Sequence, residues 1–326
     1  MAAFEFIEFQ KTRDFSNKLN VTFEFVKQNI KSLLRAMLYI VGPPALIASL
    51  LIGSLMGDYF NWIFTIAGRS PGDIFSGFTI NLALKIILAI VVATVTSVIT
   101  ISTINNYIIL YRERQSNQIE VEAVWDRVKK TFWMYFWSMI GFVLLAFAAY
   151  VILAIPMVVL GSISPFLIFF WVLIFMLVIF YLLISNSLIF VVRGFEVKGF
   201  FESFGRSMFL TRGKWWSTFG LFFVFYLIVS ILSSIFFMPW YFIKIVSSLH
   251  KISEGGKMDL GMDWFGLISI GLQYLASYIL AVLPQIALIF QYFNLVERKE
   301  SRGLLEKMEG LGSGEQPPAS SHTEHY

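Results

Sequence analysis

Of the 326 residues, 57% are hydrophobic and only 14% charged, whereas a water-soluble domain carries about 25% charged residues to keep its surface wet. The 62 residues from Thr131 to Val192 include no Asp, Glu, Lys or Arg, a run no soluble core needs, so lipid must cover much of the chain. The lack of cysteine excludes disulfides, thiolate metal sites and a cysteine nucleophile, and a net charge of +4 that follows membrane topology gives no reason to expect nucleic acid.

The opening MAAFEFIEFQKTRD contains Glu5 and Glu8 and no apolar run of signal-peptide length, so no cleaved signal is expected and the first membrane helix directs insertion. Next, Phe23, Val26 and Ile30 fall on one helical face with Lys27 and Lys31 beside it, the pattern of a helix lying along headgroups. A charge-free run of about 20 residues spans a hydrocarbon core roughly 30 Å thick, and the first such run is Ala36 to Gly57. Within it Pro43-Pro44 removes backbone donors and predicts a kink. Ala45, Ser49, Gly53 and Gly57 recur every four residues as a small-residue ridge for contact with another helix, internal or from a second copy.

Span two is Ile86 to Tyr111. Lys85 at its outer end is expected to snorkel to the interface. Ala89, Ala93, Thr96, Ser97, Thr100 and Thr103 form a small, hydroxylated face suited first to helix packing. A second amphipathic stretch, Val121, Val124 and Val128 among Asp126, Arg127, Lys129 and Lys130, precedes span three, Thr131 to Leu160. Gly161-Ser162-Ile163-Ser164-Pro165 reads as a tight turn into span four, Phe166 to Val192. A third stretch, Phe201, Phe204 and Met208 with Glu202 and Arg206, precedes span five, Trp215 to Ile243; span six is Trp264 to Val296. Pro156, Pro239 and Pro284 are expected to kink or end their helices, and residues 312–326, rich in Gly, Ser and Pro, to form a disordered cytoplasmic tail.

Of the 25 Lys and Arg residues, 20 lie before span one, between spans two and three, between four and five, and after span six. The positive-inside rule therefore puts both termini in the cytoplasm, and the other side keeps Arg69, Lys85, Lys244, Lys251 and Lys257. Trp133, Trp215, Trp216, Trp240 and Trp264 flank the spans as interfacial anchors.

The unit of interfacial helix, span, outer loop and span occurs three times, over residues of approximately 14–112, 113–195 and 196–300, inside a membrane domain of residues 1–311. Trp133 to Pro156 and Trp216 to Pro239 have the same separation of 23 residues, and Asn105 precedes Arg112 by seven residues as Asn186 precedes Arg193. Gln285 lies at a comparable depth in span six. The fold expected is all-α: six transmembrane helices as three repeated hairpins, each preceded by a cytoplasmic interfacial helix. These units, with the opening RDFSNKLNVTFEFVKQNIKSLL and the closing FNLVERKESRGLLEKMEGLG, resemble the non-catalytic membrane domain fused to some bacterial glycerophosphodiester phosphodiesterases, and related uncharacterised bacterial multipass proteins. The resemblance implies a fold and a bacterial inner-membrane role without an assigned reaction, and the phosphodiesterase catalytic domain has no counterpart here.

Candidate polar groups inside the membrane are Asn105, Asn186, Gln285, Lys85, Thr96 and Thr100. Amides and hydroxyls there serve first as bonds between helices, and second as the lining of a solute path. No HExxH, GxSxG or phosphate-cradling glycine loop occurs, and the histidines are His250 in an outer loop and His322 and His325 in the tail. Neither a cofactor nor a metal is expected. The leading expectation is a non-enzymatic membrane scaffold whose partners are lipids, other membrane proteins or its own copies. A transporter using the polar groups stands second, and a membrane-embedded lipid enzyme third.

Overall fold

The computed structural model describes residues 5–66, 80–254 and 262–301, together with Leu305 and Met308; Arg69, Lys257, His322, His325 and the tail lie outside these residues. All regular structure among the described residues is helical. Six runs are long and apolar enough to cross a membrane: Phe15–Tyr59, Ile80–Arg114, Val121–Met157, Phe166–Glu196, Trp215–Ser234 and Trp264–Glu300. The chain is a multi-pass membrane protein.

In order, the elements are α1 (Phe15–Ala36), a π-helical turn (Met37–Val41), α2 (Gly42–Ile66), α3 (Ile80–Arg114), α4 (Val121–Ile163) and α5 (Pro165–Ser185). They are followed by α6 (Ile189–Glu196), α7 (Phe200–Thr211), α8 (Trp215–Ser234), α9 (Met238–Ser253), α10 (Trp264–Leu280) and α11 (Val282–Glu300). Helix α1 begins where the Asp14 carboxylate accepts the Asn17 N–H at 2.8 Å, satisfying one of the donors that a helix start leaves open. Its far end turns into α2 through the π-turn. Pro43 and Pro44 supply no N–H, and the Gly42 N–H reaches back to the Met37 carbonyl, five residues away.

The run from Phe15 to Tyr59 has 45 residues, about 67 Å of helix against a core of about 30 Å, so part of it does not cross. The contacts of α1 show which part. Near its start Lys18 Nζ donates to Ser217 Oγ in the first turn of α8 (2.7 Å). Near its end Ser32 Oγ donates to the Asn117 carbonyl in the α3–α4 connection (2.8 Å). Both partners stand at the ends of spans, so α1 lies across the bundle end.

The three stretches that share an apolar spacing are used differently. Phe23 and Ile30 of α1 are exposed while Val21, Phe25 and Leu33 are buried, and Val26 of the expected stripe packs against the core. The second stretch is no separate helix: α4 runs unbroken for 43 residues, with Val124 and Val128 in the core. The third is separate. In α7, Phe201 is exposed and the buried face is Ser203, Ser207, Leu210 and Thr211, with the Ser207 hydroxyl donating to the Ser185 carbonyl at 2.8 Å.

The turn before Pro165 is a single residue. Ser164 is extended, caps α4 with its N–H on the Leu160 carbonyl (3.0 Å), and accepts the Phe166 N–H on its hydroxyl (3.3 Å). Span five ends sooner than its charge-free run. Helix α8 stops at Ser234, where Ser233 and Ser234 hydroxyls fold back on the carbonyls of Ser230 and Ile231, and Pro239 opens the separate helix α9. Pro284 likewise sits in the first turn of α11, after the break at Ala281, whereas Pro156 lies inside α4 without ending it.

Helix α3 packs against α2 and α4, α5 against α4, α8 against α10 and α11, and α10 against α2. Of the apolar stretch of span six, 72% is buried, against 6% in spans three and four. Helix α11 is therefore the axis of the bundle, and α4 and α5 present nearly all their apolar surface outward.

Candidate functional site

Two of the three intramembrane amides meet. Asn105, fully buried on α3, donates to the Tyr135 hydroxyl of α4 (3.0 Å) and to the Phe190 carbonyl of α6 (3.1 Å), and accepts from Gln285 Nε2 of α11 (3.3 Å). One side chain thus ties four helices together. The approach requires Gly194, because a Cβ there would lie 2.2 Å from the Tyr135 hydroxyl oxygen. Asn186 is elsewhere, at the break between α5 and α6. It donates to the Leu182 carbonyl of its own helix (2.9 Å), and its Oδ1 has no partner among the described residues.

The remaining polar candidates are bonded locally or to a neighbour. Thr96 and Thr100 are buried and donate to the carbonyls four residues back, Val92 and Thr96, each at 2.8 Å, with the Pro44 carbonyl of α2 3.2 Å from the Thr96 hydroxyl. Lys85 is ion-paired: Nζ lies 2.6 Å from Asp58 Oδ2 and 3.1 Å from Ser54 Oγ, both on α2. Ala45 and Ser49 are buried, and the ridge they begin faces α10 within the same chain. A Cβ on Gly53 would meet the Leu267 carbonyl oxygen and Ile270 Cγ2, both at 3.3 Å.

The opposite end, which holds residues 5–14 and the end of α11, carries most of the ion pairs among the described residues. The segment before α1 is an extended strap: the Ile7 N–H donates to the Tyr111 hydroxyl (3.1 Å), and Phe9 is buried in stacking contact with Phe290 (4.8 Å between centroids). The Arg112 guanidinium covers the Phe293 ring at 4.6 Å. Beside this cluster Glu196 accepts from Arg206 (3.0 Å), Lys198 (2.8 Å) and the Tyr292 hydroxyl (2.9 Å), and Arg206 also pairs with Glu300. That second carboxylate is the main reason the Arg206 pKa lies above the ordinary arginine value; Glu196 adds to it against the cost of burial.

Sequence spacing does not show the most distinctive feature of this end. The starts of α1 and α8 and the last turns of α11 enclose a cleft of about 200 Å³ lined by Arg13, Lys18, Lys214, Ser217, Asn294 and Arg298, with Asp14 at its edge. Lys18 is buried on the floor, 2% exposed, its ammonium donating to Gln291 Oε1 (2.8 Å) and Ser217 Oγ (2.7 Å). Gln291 passes a bond on to the Thr218 hydroxyl (2.9 Å). Arg298 donates to Asn294 Oδ1 (3.3 Å) and to the Arg13 carbonyl (3.2 Å), while Lys214 stands exposed at the rim. The lining comes from residues about 200 and 80 positions apart in the chain, which is why no motif announces it.

Among the described residues no group of three or more His, Asp or Glu is placed to hold a metal ion. No protein-family model, curated protein or solved structure matches the chain.

Proposed function

We propose that this chain is a non-enzymatic scaffold of a bacterial cytoplasmic membrane that works through its contacts with lipid and with membrane partners, both termini facing the cytoplasm. The fold and role drawn from the phosphodiesterase membrane domain belong to this reading. The observation that carries it is the use of the polar groups: Asn105, Gln285, Thr96, Thr100 and Lys85 all bond within the bundle, while α4 and α5 leave a broad apolar surface for lipid or a membrane partner. Amides and hydroxyls bonded to one another and to helix carbonyls hold spans together. Reconstitution tests it. Proteoliposomes carrying labelled phospholipids and a mixed pool of small solutes should show neither conversion nor uptake; either one overturns the reading.

A transporter is the second reading, favoured by one place. Among the described residues Ser185 Oγ and Asn186 Oδ1 are buried without a hydrogen-bond partner at the interruption between α5 and α6, and broken helices are where transporters present polar atoms to a substrate. Uptake that fails in Asn186→Leu would establish it over the scaffold.

A further inference from the structure

We propose that the cleft between α1, α8 and α11 is a binding site for a phosphate-bearing anion. This rests on the reading above, that the chain acts at its lipid interface, and names what its charged end holds.

The first argument is charge. Lys18, Lys214 and Arg298 bring their charges to one space, with the Asp14 carboxylate against them, and that carboxylate is already engaged with the Asn17 N–H at the start of α1; Arg13 also lines the space, but its guanidinium donates to the carbonyls of Glu8, Phe9 and Lys11 and stands over the Phe290 ring. None of the four cations forms an ion pair with a carboxylate among the described residues. Glu8 and Glu24 act on Arg13 from outside the lining. The contrast with the neighbouring Glu196–Arg206–Glu300 group is instructive, because there each cation has its carboxylate. A buried charge such as that of Lys18 is costly unless something of opposite sign faces it, and with Lys214 and Arg298 at the rim it makes a field that an anion completes.

The second argument is shape and donor chemistry. The floor holds the Lys18 ammonium in place through Gln291 and Ser217; the rim cations Lys214 and Arg298 are exposed and able to close on a ligand. The space, about 200 Å³, exceeds the roughly 30 Å³ share of one water several times over. Helix α8 starts at this point with no side chain capping it, so its first N–H groups add a positive dipole end to the cations. Convergent ammonium and guanidinium groups with backbone N–H donors suit the three oxygens of a phosphate, to which an arginine can bond in bidentate fashion.

The third argument is depth. Trp216, 76% exposed, stands two residues from Lys214, and an indole uncovered at the mouth of a span belongs at the headgroup level. The phosphate therefore belongs either to a lipid headgroup or to a soluble anion; the chemistry of the cleft is the same for both.

The experiment uses the full chain in phosphatidylcholine nanodiscs and follows its melting temperature. One arm adds inorganic phosphate; the other replaces part of the phosphatidylcholine with phosphatidic acid. A rise in either arm supports the site, the first identifying a soluble anion and the second a lipid headgroup. The paired variant Lys214→Gln/Arg298→Gln should weaken the response by about a hundredfold in apparent affinity, tenfold for each charge-assisted bond removed. Lys27→Gln/Lys31→Gln, which removes the same charge from the exposed face of α1, should leave it unchanged. Lys214→Gln alone, at an exposed residue, keeps the test usable if the paired variant is unstable, and should show the tenfold loss. No response in either arm, a full response in Lys214→Gln, or an equal loss in the α1 control overturns the proposal. The scaffold reading would survive that result, and would fall instead if phosphate entered sealed proteoliposomes.

Discussion

Replacing Gly53 by valine should open the α2–α10 contact. A Cβ at this position meets the Leu267 carbonyl oxygen and Ile270 Cγ2 at 3.3 Å, with the Gly271 nitrogen at 3.6 Å. Two of these three are backbone atoms of a packed helix and cannot rotate away, so the two further carbons of valine must push α10 outward. Overpacking of this kind costs about 1–3 kcal/mol, a fall of a few degrees in melting temperature for a chain of this size. Gly57→Ala is the gentler case, because its nearest neighbour is the terminal Leu267 Cδ2, at 2.7 Å, which a rotamer change can move. Gly205→Ala should act in the opposite direction. It lies in α7 with nothing within 4 Å of an added Cβ, so it should gain about 0.5–1 kcal/mol of helix propensity. Intrinsic tryptophan fluorescence during heating in nanodiscs reads all three. A Gly53→Val protein that melts at or above the parent temperature would refute the packing argument.

Phe9→Ala, removing a ring that is 2% exposed between Phe290, Phe25 and Phe293, should cost about 3–5 kcal/mol and speed proteolysis of the strap, measured by limited digestion. Arg206→Met leaves Glu196 with only Lys198 and Tyr292; the loss should be about 2 kcal/mol, less than for a fully stripped buried charge, and Glu196→Gln in the same chain should recover part of it in thermal melts. At the other end, burial pushes the Asp263 carboxyl up, but the Gly266 N–H, Lys244 and the Trp240 indole together hold it below the ordinary aspartate value of 3.8. A depressed folded-state pKa stabilises above the unfolded value and is lost as pH falls through the folded one. Acid titration below about pH 4 should therefore release Trp240, with a shift in its fluorescence, and Asp263→Asn should remove that transition.

The six spans were legible because hydropathy over about 20 residues is a local quantity, and the Ser164 turn because Gly161 and Pro165 bracket it. The four-residue spacing of Ala45, Ser49, Gly53 and Gly57 marked a contact face; that α10 covers it is a pairing over more than 200 residues that spacing does not encode. Periodicity also could not separate a buried stripe from a lipid-facing one. Phe23 and Ile30, on the face expected to lie along the headgroups, are exposed, while the buried face of α1 combines Val21, Phe25 and Leu33 with Lys18, Thr22 and Asn29. Of the amides, Asn105 and Gln285 meet and Asn186 stands apart, although the Asn-to-Arg interval in spans two and four is the same. The break between α8 and α9 was hidden because the charge-free run continues across it to Ile243.

The central claim is that the polar groups inside the membrane hold the bundle together and meet no solute. The chain has no cysteine, so single replacements report without background. Thr100→Cys and Ser138→Cys, at buried positions on α3 and α4, and Ser164→Cys at the partly exposed turn between α4 and α5 would be treated with a charged, membrane-impermeant thiol reagent applied to both faces of nanodiscs. The account predicts rapid labelling at residue 164 and none at 100 or 138 until the protein is denatured. Rapid labelling at residue 100 or 138 in the folded protein would show a water-filled path through the bundle and contradict the account.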